Sequence, residues 1–298
     1  MVYKEKSDKV VKGVVQGYDA LWLADFIQGL SESHLHIVSD DVQQAKLVNS
    51  LLFFVPSIQV LEFPAWDCVP YDRISPRPDV IARRINTLVK LAQFSQEGVS
   101  RKYLVIATVS AALQRVPPIS TFRGMERLLV TGSHIEPNKF AIELSHIGYL
   151  RTEQVMEPGE FAIRGGIIDV FPPSTTDPVR IELFGDTVET LRTFDPIDQR
   201  TVASIKQLVI VPMSEVILTN SSVESFRRGY RDLFGAVTEE DSLYETVSRG
   251  QPYPGIEHWL PLFYNQLQTI FAYLPDATVS IDHTASQAVN ARLDLIRD

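Results

Sequence analysis

A single cysteine in 298 residues, Cys68, excludes an internal disulfide framework and a cysteine-rich zinc site, fits a reducing cytosol, and reads as a core thiol. No stretch reaches the ~18 apolar residues that span a bilayer, and the opening MVYKEKSDKVVKG lacks the apolar run of a secretory leader. A cytoplasmic protein with no membrane partner is expected. Positive charge is also short: 28 Lys and Arg stand against 37 Asp and Glu, a net charge of -9, which excludes a broad electrostatic footprint on nucleic acid. There is no internal repeat, no low-complexity tract and no nucleophile elbow G-x-S-x-G. What is present is ordinary globular material, 45% apolar and 22% charged, enough for two modest domains with real cores.

Strand and helix signals alternate through the first third. Leu21, Ala24 and Phe26 or Ile27 recur at helical spacing ahead of Gly29; His34 to Ser39 reads as a buried strand; Asp40-Asp41 caps a helix from Val42 to Phe53. A strand at Ile58 to Leu61, the turn-rich FPAWDCVPYDRISPRPD, a helix from Val80 to Phe94, a strand from Tyr103 to Thr108 and a short helix before Pro117-Pro118 follow. The natural solution is an α/β layer with a mainly parallel sheet over residues 1–120. From about Thr121 the pattern turns to α+β, with a helix from Asn138 to Ile147 closed by Gly148 and a strand-rich stretch after it, giving an inserted domain over 121–206. Residues 207–298 read as a returning segment that completes the first domain. It holds a strand with a turn at LVIVPMSEVIL, helices at Val223 to Phe234 and Asp241 to Arg249, strands at Thr269 to Tyr273 and Thr278 to Ile281, and a helix from Ala285 that runs off the end, as in a piece of a longer protein.

The most informative stretch is Gly159 to Asp195. Val179 to Phe184, Gly185-Asp186 and Thr187 to Phe194 have the spacing of a two-residue β-hairpin, so Phe184 should face Thr187. Alternation then puts Val179, Ile181, Leu183 and Val188 on a core face, and Arg180, Glu182 and Phe184 on the other. A phenylalanine among charges forgoes roughly 2 kcal/mol of burial if left in water. Either another segment of the chain covers it or a partner protein does, since Phe beside Arg is common in interface anchors. Arg164, ahead of Gly165-Gly166, should lie on a kinked or bulged strand of the same sheet and join the patch.

The search for chemistry returns mostly negatives. GVVQGYDA, Gly13 to Ala20, stands where a phosphate loop G-x-x-x-x-G-K-[ST] would stand, and fails at each deciding position. Counting from Gly13 and passing Gly17, the second glycine is Tyr18, the lysine is Asp19 and the hydroxyl residue is Ala20. An aspartate repels the phosphate that an ammonium would hold, and no hydroxyl remains for magnesium. His34 and His36 share a strand face but lack a third metal ligand nearby. Asp67, Asp72 and Asp79 form an acidic trio best explained by turns and capping, and Glu239-Glu240-Asp241 reads as a helix entry. Arg83-Arg84 and Arg227-Arg228 read as surface doublets, and the aromatic segment Gly255 to Tyr264 as packing. No catalytic residue and no metal site emerges.

FPAWDCVPYDRISPRPDVIARRINTL (Phe63 to Leu88), EPGEFAIRGGIIDVFPP (Glu157 to Pro173), VRIELFGDTVETLRTFDPIDQR (Val179 to Arg200) and GIEHWLPLF (Gly255 to Phe263) together resemble the N-terminal region of the bacterial transcription-repair coupling factor, Mfd, over nearly the whole chain. The resemblance implies a UvrB-like module: a helicase-like parallel-sheet α/β domain lacking a working phosphate loop, with an inserted α+β domain that docks UvrA. UvrB itself is the competitor, but it has an intact phosphate loop and a long aromatic hairpin. Here ISPRPD runs from Tyr71 straight into a helix. The family's UvrA-contacting arginines and phenylalanine fall on Arg164, Arg180 and Phe184. The resemblance further implies an ATP- and magnesium-dependent translocase, an RNA-polymerase-binding domain and an autoinhibitory C-terminal domain elsewhere in such proteins, so that RNA polymerase and double-stranded DNA are partners of parts not in these residues. The expected role is non-catalytic recruitment of UvrA to lesions marked by stalled polymerase. Two readings stay beside it: a UvrB-type DNA-binding ATPase domain, and a purely architectural domain whose sheet face is covered internally.

Overall fold

The computed structural model describes residues 10–12, 14, 17–68, 74–97, 102–237 and 241–297. Its first layer is built from α1 (Tyr18–Gln28), β1 (His34–Val38), α2 (Asp41–Phe54), β2 (Val60–Phe63), α3 (Pro78–Glu97), β3 (Leu104–Thr108) and α4 (Val109–Leu113). The Asp40 carboxylate caps α2 by accepting from Gln43 N at 2.9 Å, and Thr108 Oγ1 caps α4 by accepting from Ala111 N at 3.2 Å. β2 lies two residues further on than its apolar run predicts, because Leu61 and Phe63 are the residues that alternate into the core.

A second layer follows with β4 (Arg127–Val130), α5 (Pro137–His146), β5 (Leu150–Arg151), β6 (Glu160–Arg164), β7 (Ile167–Val170), β8 (Val179–Phe184), β9 (Thr187–Phe194), β10 (Thr201–Ser204) and β11 (Gln207–Ile210). Helices α6 (Asn220–Phe234), α7 (Ser242–Ser248) and α8 (Leu260–Phe263), the strand β12 (Thr278–Ile281) and the helix α9 (Ala285–Arg297) complete the chain. Strands β12, β1, β3 and β2 form a parallel sheet in that order, with His34 opposite both Thr278 and Leu104. Strands β10, β9, β8, β7, β6 and β5 form a six-stranded sheet, antiparallel apart from the β5–β6 pair, and β4 pairs antiparallel with β11. The α/β expectation therefore holds.

Period-two alternation explains how the parallel sheet is covered on both faces. Leu35, Ile37, Leu61, Phe63, Val105 and Ala107 point into a cluster with Ile85, Leu88 and Ala92 of α3. Leu104 and Ile106 point the other way, onto Leu23, Ile27, Leu47 and Leu51 of α1 and α2. The first cluster continues through Phe140 and Leu144 of α5 to Phe161, Ile168, Val179, Ile181 and Leu191 of the six-stranded sheet. A separate cluster joins α6, α7 and α8 through Phe226, Tyr230, Tyr244, Leu260 and Phe263, where most of the aromatic segment Gly255 to Tyr264 is used in packing.

Three readings of the sequence are corrected. Thr269 to Tyr273 is no strand but a 3-10 turn, Ile270–Tyr273, since Ile270 and Tyr273, three apart, are the two residues that point inward. Cys68 is half-buried, not in the core, with Sγ 3.7 Å from His258 Nε2. Arg84 is no surface charge. It is fully buried, donates from Nε to Glu215 Oε1 at 2.6 Å and from Nη1 to Pro64 O at 2.8 Å, and lies 4.3 Å from the Phe63 ring centroid. Arg83 does reach the surface, bridging Glu62 and Asp79.

Candidate docking site

The hairpin of β8 and β9 turns at Gly185-Asp186, with Gly185 at φ 63°, a region glycine enters freely, and Phe184 faces Thr187 as its spacing requires. Val179, Ile181 and Val188 are buried, with Leu183 packed against the same core. A bulge on β9 keeps that alternation in step. Thr190 is opposite Glu182 while Val188 is opposite Leu183, so Glu189 is the extra residue and Val188 and Leu191 both face the core. The tip is strapped from outside: Ile135 N donates to Asp186 O at 2.7 Å, Gly132 N to Val188 O at 2.8 Å and Val188 N to Ser133 O at 2.9 Å. On this braced tip Phe184 is 81% exposed.

The pair Gly165-Gly166, read as a kink, is instead a two-residue turn joining β6 to β7, with Arg164 opposite Ile167. Gly165 takes φ 59°, and Gly166 O accepts from Leu183 N at 2.7 Å, a close approach that leaves little room for a side chain. The register then sets two rows across the polar face. One runs Ala162, Asp169, Arg180, Arg192; the other runs Arg164, Ile167, Glu182, Thr190.

Asp169, fully buried, joins the two rows. Its Oδ1 accepts from Arg180 Nε at 2.7 Å, and its Oδ2 accepts from Arg180 Nη2 at 2.9 Å and from Arg164 Nη2 at 2.7 Å. These hydrogen bonds push the Arg180 pKa further above its ordinary value. The Arg180 guanidinium also lies 4.8 Å from the Phe194 ring centroid and donates from Nη1 to Gln199 O at 3.3 Å. Phe194 belongs to a small cluster with Val155, Ala162 and Phe171 that closes one end of this face. The other end, with Arg164 side chain 54% exposed and Phe184, is open.

Asp169 was not anticipated. Its signal was a carboxylate inside a β-branched strand, IIDV, where aspartate is disfavoured unless it has a partner.

The remaining candidates are occupied within the fold. The Asp19 carboxylate accepts from Gly17 N at 3.0 Å and Ala20 N at 2.9 Å, lying against the first amides of α1; Tyr18 is exposed, and Gly13 lies outside the described residues. His34 is hydrogen-bonded to Thr278 Oγ1 and Ser280 Oγ, each at 2.6 Å, and His36 to Ser280 Oγ at 2.7 Å. Burial lowers both imidazoles to about 4, with the neighbouring His36 adding to the effect on His34, while Asp282 and Asp19 oppose it at His36. Asp67 and Asp79 are tied to Arg77, and Asp72 lies outside the described residues, as do Glu239 and Glu240; Asp241 caps α7. Arg227 and Arg228 are exposed on α6. Among the described residues no group of three or more His, Cys, Asp or Glu could hold a metal, and no helix is long and apolar enough to cross a membrane.

Comparison with known proteins covers the same residues. Residues 128–216, which contain Arg164, Asp169, Arg180 and Phe184, match the family model of the UvrB interaction domain. The chain is 30% identical to a transcription-repair-coupling factor of Haemophilus influenzae over 95% of its own length and 24% of that protein. It is 31% identical to the one of Escherichia coli over 87% of its length and 22% of that protein, and 33% identical to the one of Myxococcus xanthus over 73% and 18%. The chain thus spans about a quarter or less of the curated relatives it matches. Over most of its length it is a homologue of the transcription-repair-coupling factors, with a UvrB interaction domain at its centre.

Proposed function

We propose that this chain is a non-catalytic, UvrB-like recruitment module of a transcription-repair coupling factor, which docks UvrA through Arg164, Arg180 and Phe184. The observation that carries the reading is Phe184, 81% exposed at a hairpin tip whose backbone is held by hydrogen bonds with the segment 132–135. An exposed ring on a sheet face that also carries Arg164 and Arg180 has the chemistry of an interface anchor. In this reading the parallel-sheet unit is helicase-like but does not bind nucleotide. Asp19 supports that: its carboxylate occupies the amides that would meet a phosphate, and Ala20 has no hydroxyl for magnesium. ATP, magnesium, double-stranded DNA and RNA polymerase then belong to the rest of such proteins, which act in the cytoplasm as DNA translocases that displace stalled polymerase. Their C-terminal domain masks the docking surface until the motor engages.

The test is the affinity of the chain for purified UvrA. Phe184→Ala should abolish or strongly weaken binding at an unchanged melting temperature, and retained affinity would refute the docking surface. Arg180→Glu should abolish binding as well, but it leaves the buried Asp169 facing a second carboxylate, so its melting temperature has to be read beside it. Calorimetric titration with ATP and magnesium should give no heat; a micromolar site would favour the ATPase reading instead.

A further inference from the structure

Asp169 is fully buried on the polar face of the six-stranded sheet, where an unpaired carboxylate would be strongly disfavoured. Stability alone does not call for it, because apolar replacements of buried ion pairs are often neutral or stabilising. What the carboxylate does uniquely is geometric. It takes the Arg180 fork through both oxygens, at 2.7 and 2.9 Å, and binds Arg164 from the far side at 2.7 Å, so two guanidinium groups on strands flanking β7 share one acceptor. It also cancels one of their two charges and screens their repulsion. Arg180 spends further N–H capacity on Gln199 O and leaves its side chain 16% exposed, whereas Arg164 keeps donors that Asp169 does not use on a side chain 54% exposed.

We infer that Asp169 is the positioning residue of the docking surface: it fixes the direction in which Arg164, braced through Arg180, offers its remaining N–H donors to an acidic patch on the partner that also receives Phe184. This rests on the docking reading of Arg164, Arg180 and Phe184 given above.

Asp169→Asn keeps the side chain's shape but removes the charge and replaces one carboxylate oxygen with an NH2 donor, so the two-oxygen hold on the Arg180 fork is lost and the acceptor shared with Arg164 is weakened. Dissociation constants for purified UvrA would be measured for the whole chain as wild type, Asp169→Asn, Arg164→Ala, Phe184→Ala and the Asp169→Asn/Arg164→Ala double variant, with melting temperatures alongside. Asp169→Asn should weaken binding about tenfold or more, and the double variant should lose far less than the product of the two single losses, since Asp169 acts through Arg164. Unchanged affinity of Asp169→Asn, or losses that multiply, overturns the inference. If Phe184→Ala weakens binding while Asp169→Asn does not, the inference alone fails; if neither does, the docking reading itself fails. Should Asp169→Asn not fold, the wild-type chain decides by NMR: the Arg180 Nε–H, held by Asp169, should exchange with solvent far more slowly than that of the exposed Arg200, and equal rates overturn the proposal.

Discussion

The parallel sheet and the six-stranded sheet each carry cross-strand polar contacts, and they use them in opposite ways. In the parallel sheet, His34 and His36 of β1 meet Thr278 and Ser280 of the edge strand β12, and the ring contacts end on those half-buried hydroxyls within the fold. In the six-stranded sheet, Asp169 likewise bonds Arg180 and Arg164 together across the strands, but the group ends in solvent at Arg164, on the face that also carries the exposed Phe184 ring. A polar group that is satisfied inside the fold stabilises or specifies it; a polar group held rigid with donors left over is available to another molecule. Substitutions in the first region should therefore register in stability, and substitutions at the rim of the second in affinity.

The largest effect should come from the buried Arg84–Glu215 pair, which joins α3 to the segment after β11. Glu215→Ala leaves a guanidinium without its counter-charge among Phe63 and Trp66 and should cost about 3–5 kcal/mol. The urea midpoint measures it. A loss under 1 kcal/mol would mean that water reaches Arg84 and that the interior is less closed than the contrast requires.

Acid comes next. His34 and His36 have folded values near 4, below their ordinary 6.5, so the unfolded chain binds more protons between those values. Their contribution is complete above pH 6.5 and is lost as pH falls toward 4, a ceiling of about 3 kcal/mol for each histidine. Denaturant midpoints at pH 7, 5.5 and 4.5 should fall in that order, and His34→Asn should flatten the slope. A slope that the substitution leaves unchanged would assign the acid sensitivity to other groups.

Phe184→Ala should show the reverse pattern. Truncation of an 81% exposed ring should change stability by less than about 0.5 kcal/mol, yet truncation of an anchor typically costs about 2 kcal/mol or more in binding, roughly thirtyfold in affinity. Equilibrium unfolding and UvrA titration of the same preparation read both numbers. A stability loss near the binding loss would place Phe184 with the closed region and erase the distinction.

How far these differences could be read from the sequence depends on how local their causes are. The hairpin around Gly185-Asp186 was legible because the turn chemistry and the alternation of Val179, Ile181 and Val188 are set by neighbours. The same parity put Phe184 on the polar face but left open whether another segment of the chain covers it; the 81% exposure is set by the tertiary fold. The bridge at Asp169 was not legible, because its meaning depends on Arg180, eleven positions away, arriving opposite it in register. Arg84 could have been found: Ile81, Arg84, Ile85 and Leu88 follow the helical stripe that faces the core, and the doublet with Arg83 disguised it as surface charge. The polar bond network of His34 and His36 was hidden for the same reason as Asp169, since β12 lies some 244 positions later in the chain.

The smallest expected effect tests the most economical feature of the closed region. Asp19 accepts hydrogen bonds from Gly17 N and Ala20 N at the start of α1, so Asp19→Ala should cost about 0.5–1 kcal/mol of stability, as for other residues that satisfy the first turn of a helix. It should not create a nucleotide site. On the proposed reading of this stretch as a degenerate phosphate loop, Tyr18 takes the place of the glycine that close backbone approach to a phosphate needs, Ala20 offers no hydroxyl to magnesium, and no ammonium has been introduced. Calorimetry of Asp19→Ala with ATP and magnesium should therefore remain flat while the unfolding midpoint drops slightly. Heat of binding in the variant but not in the wild type would show that one carboxylate alone had been keeping a working pocket shut, and the parallel-sheet unit would then be closed by a plug and not by its construction.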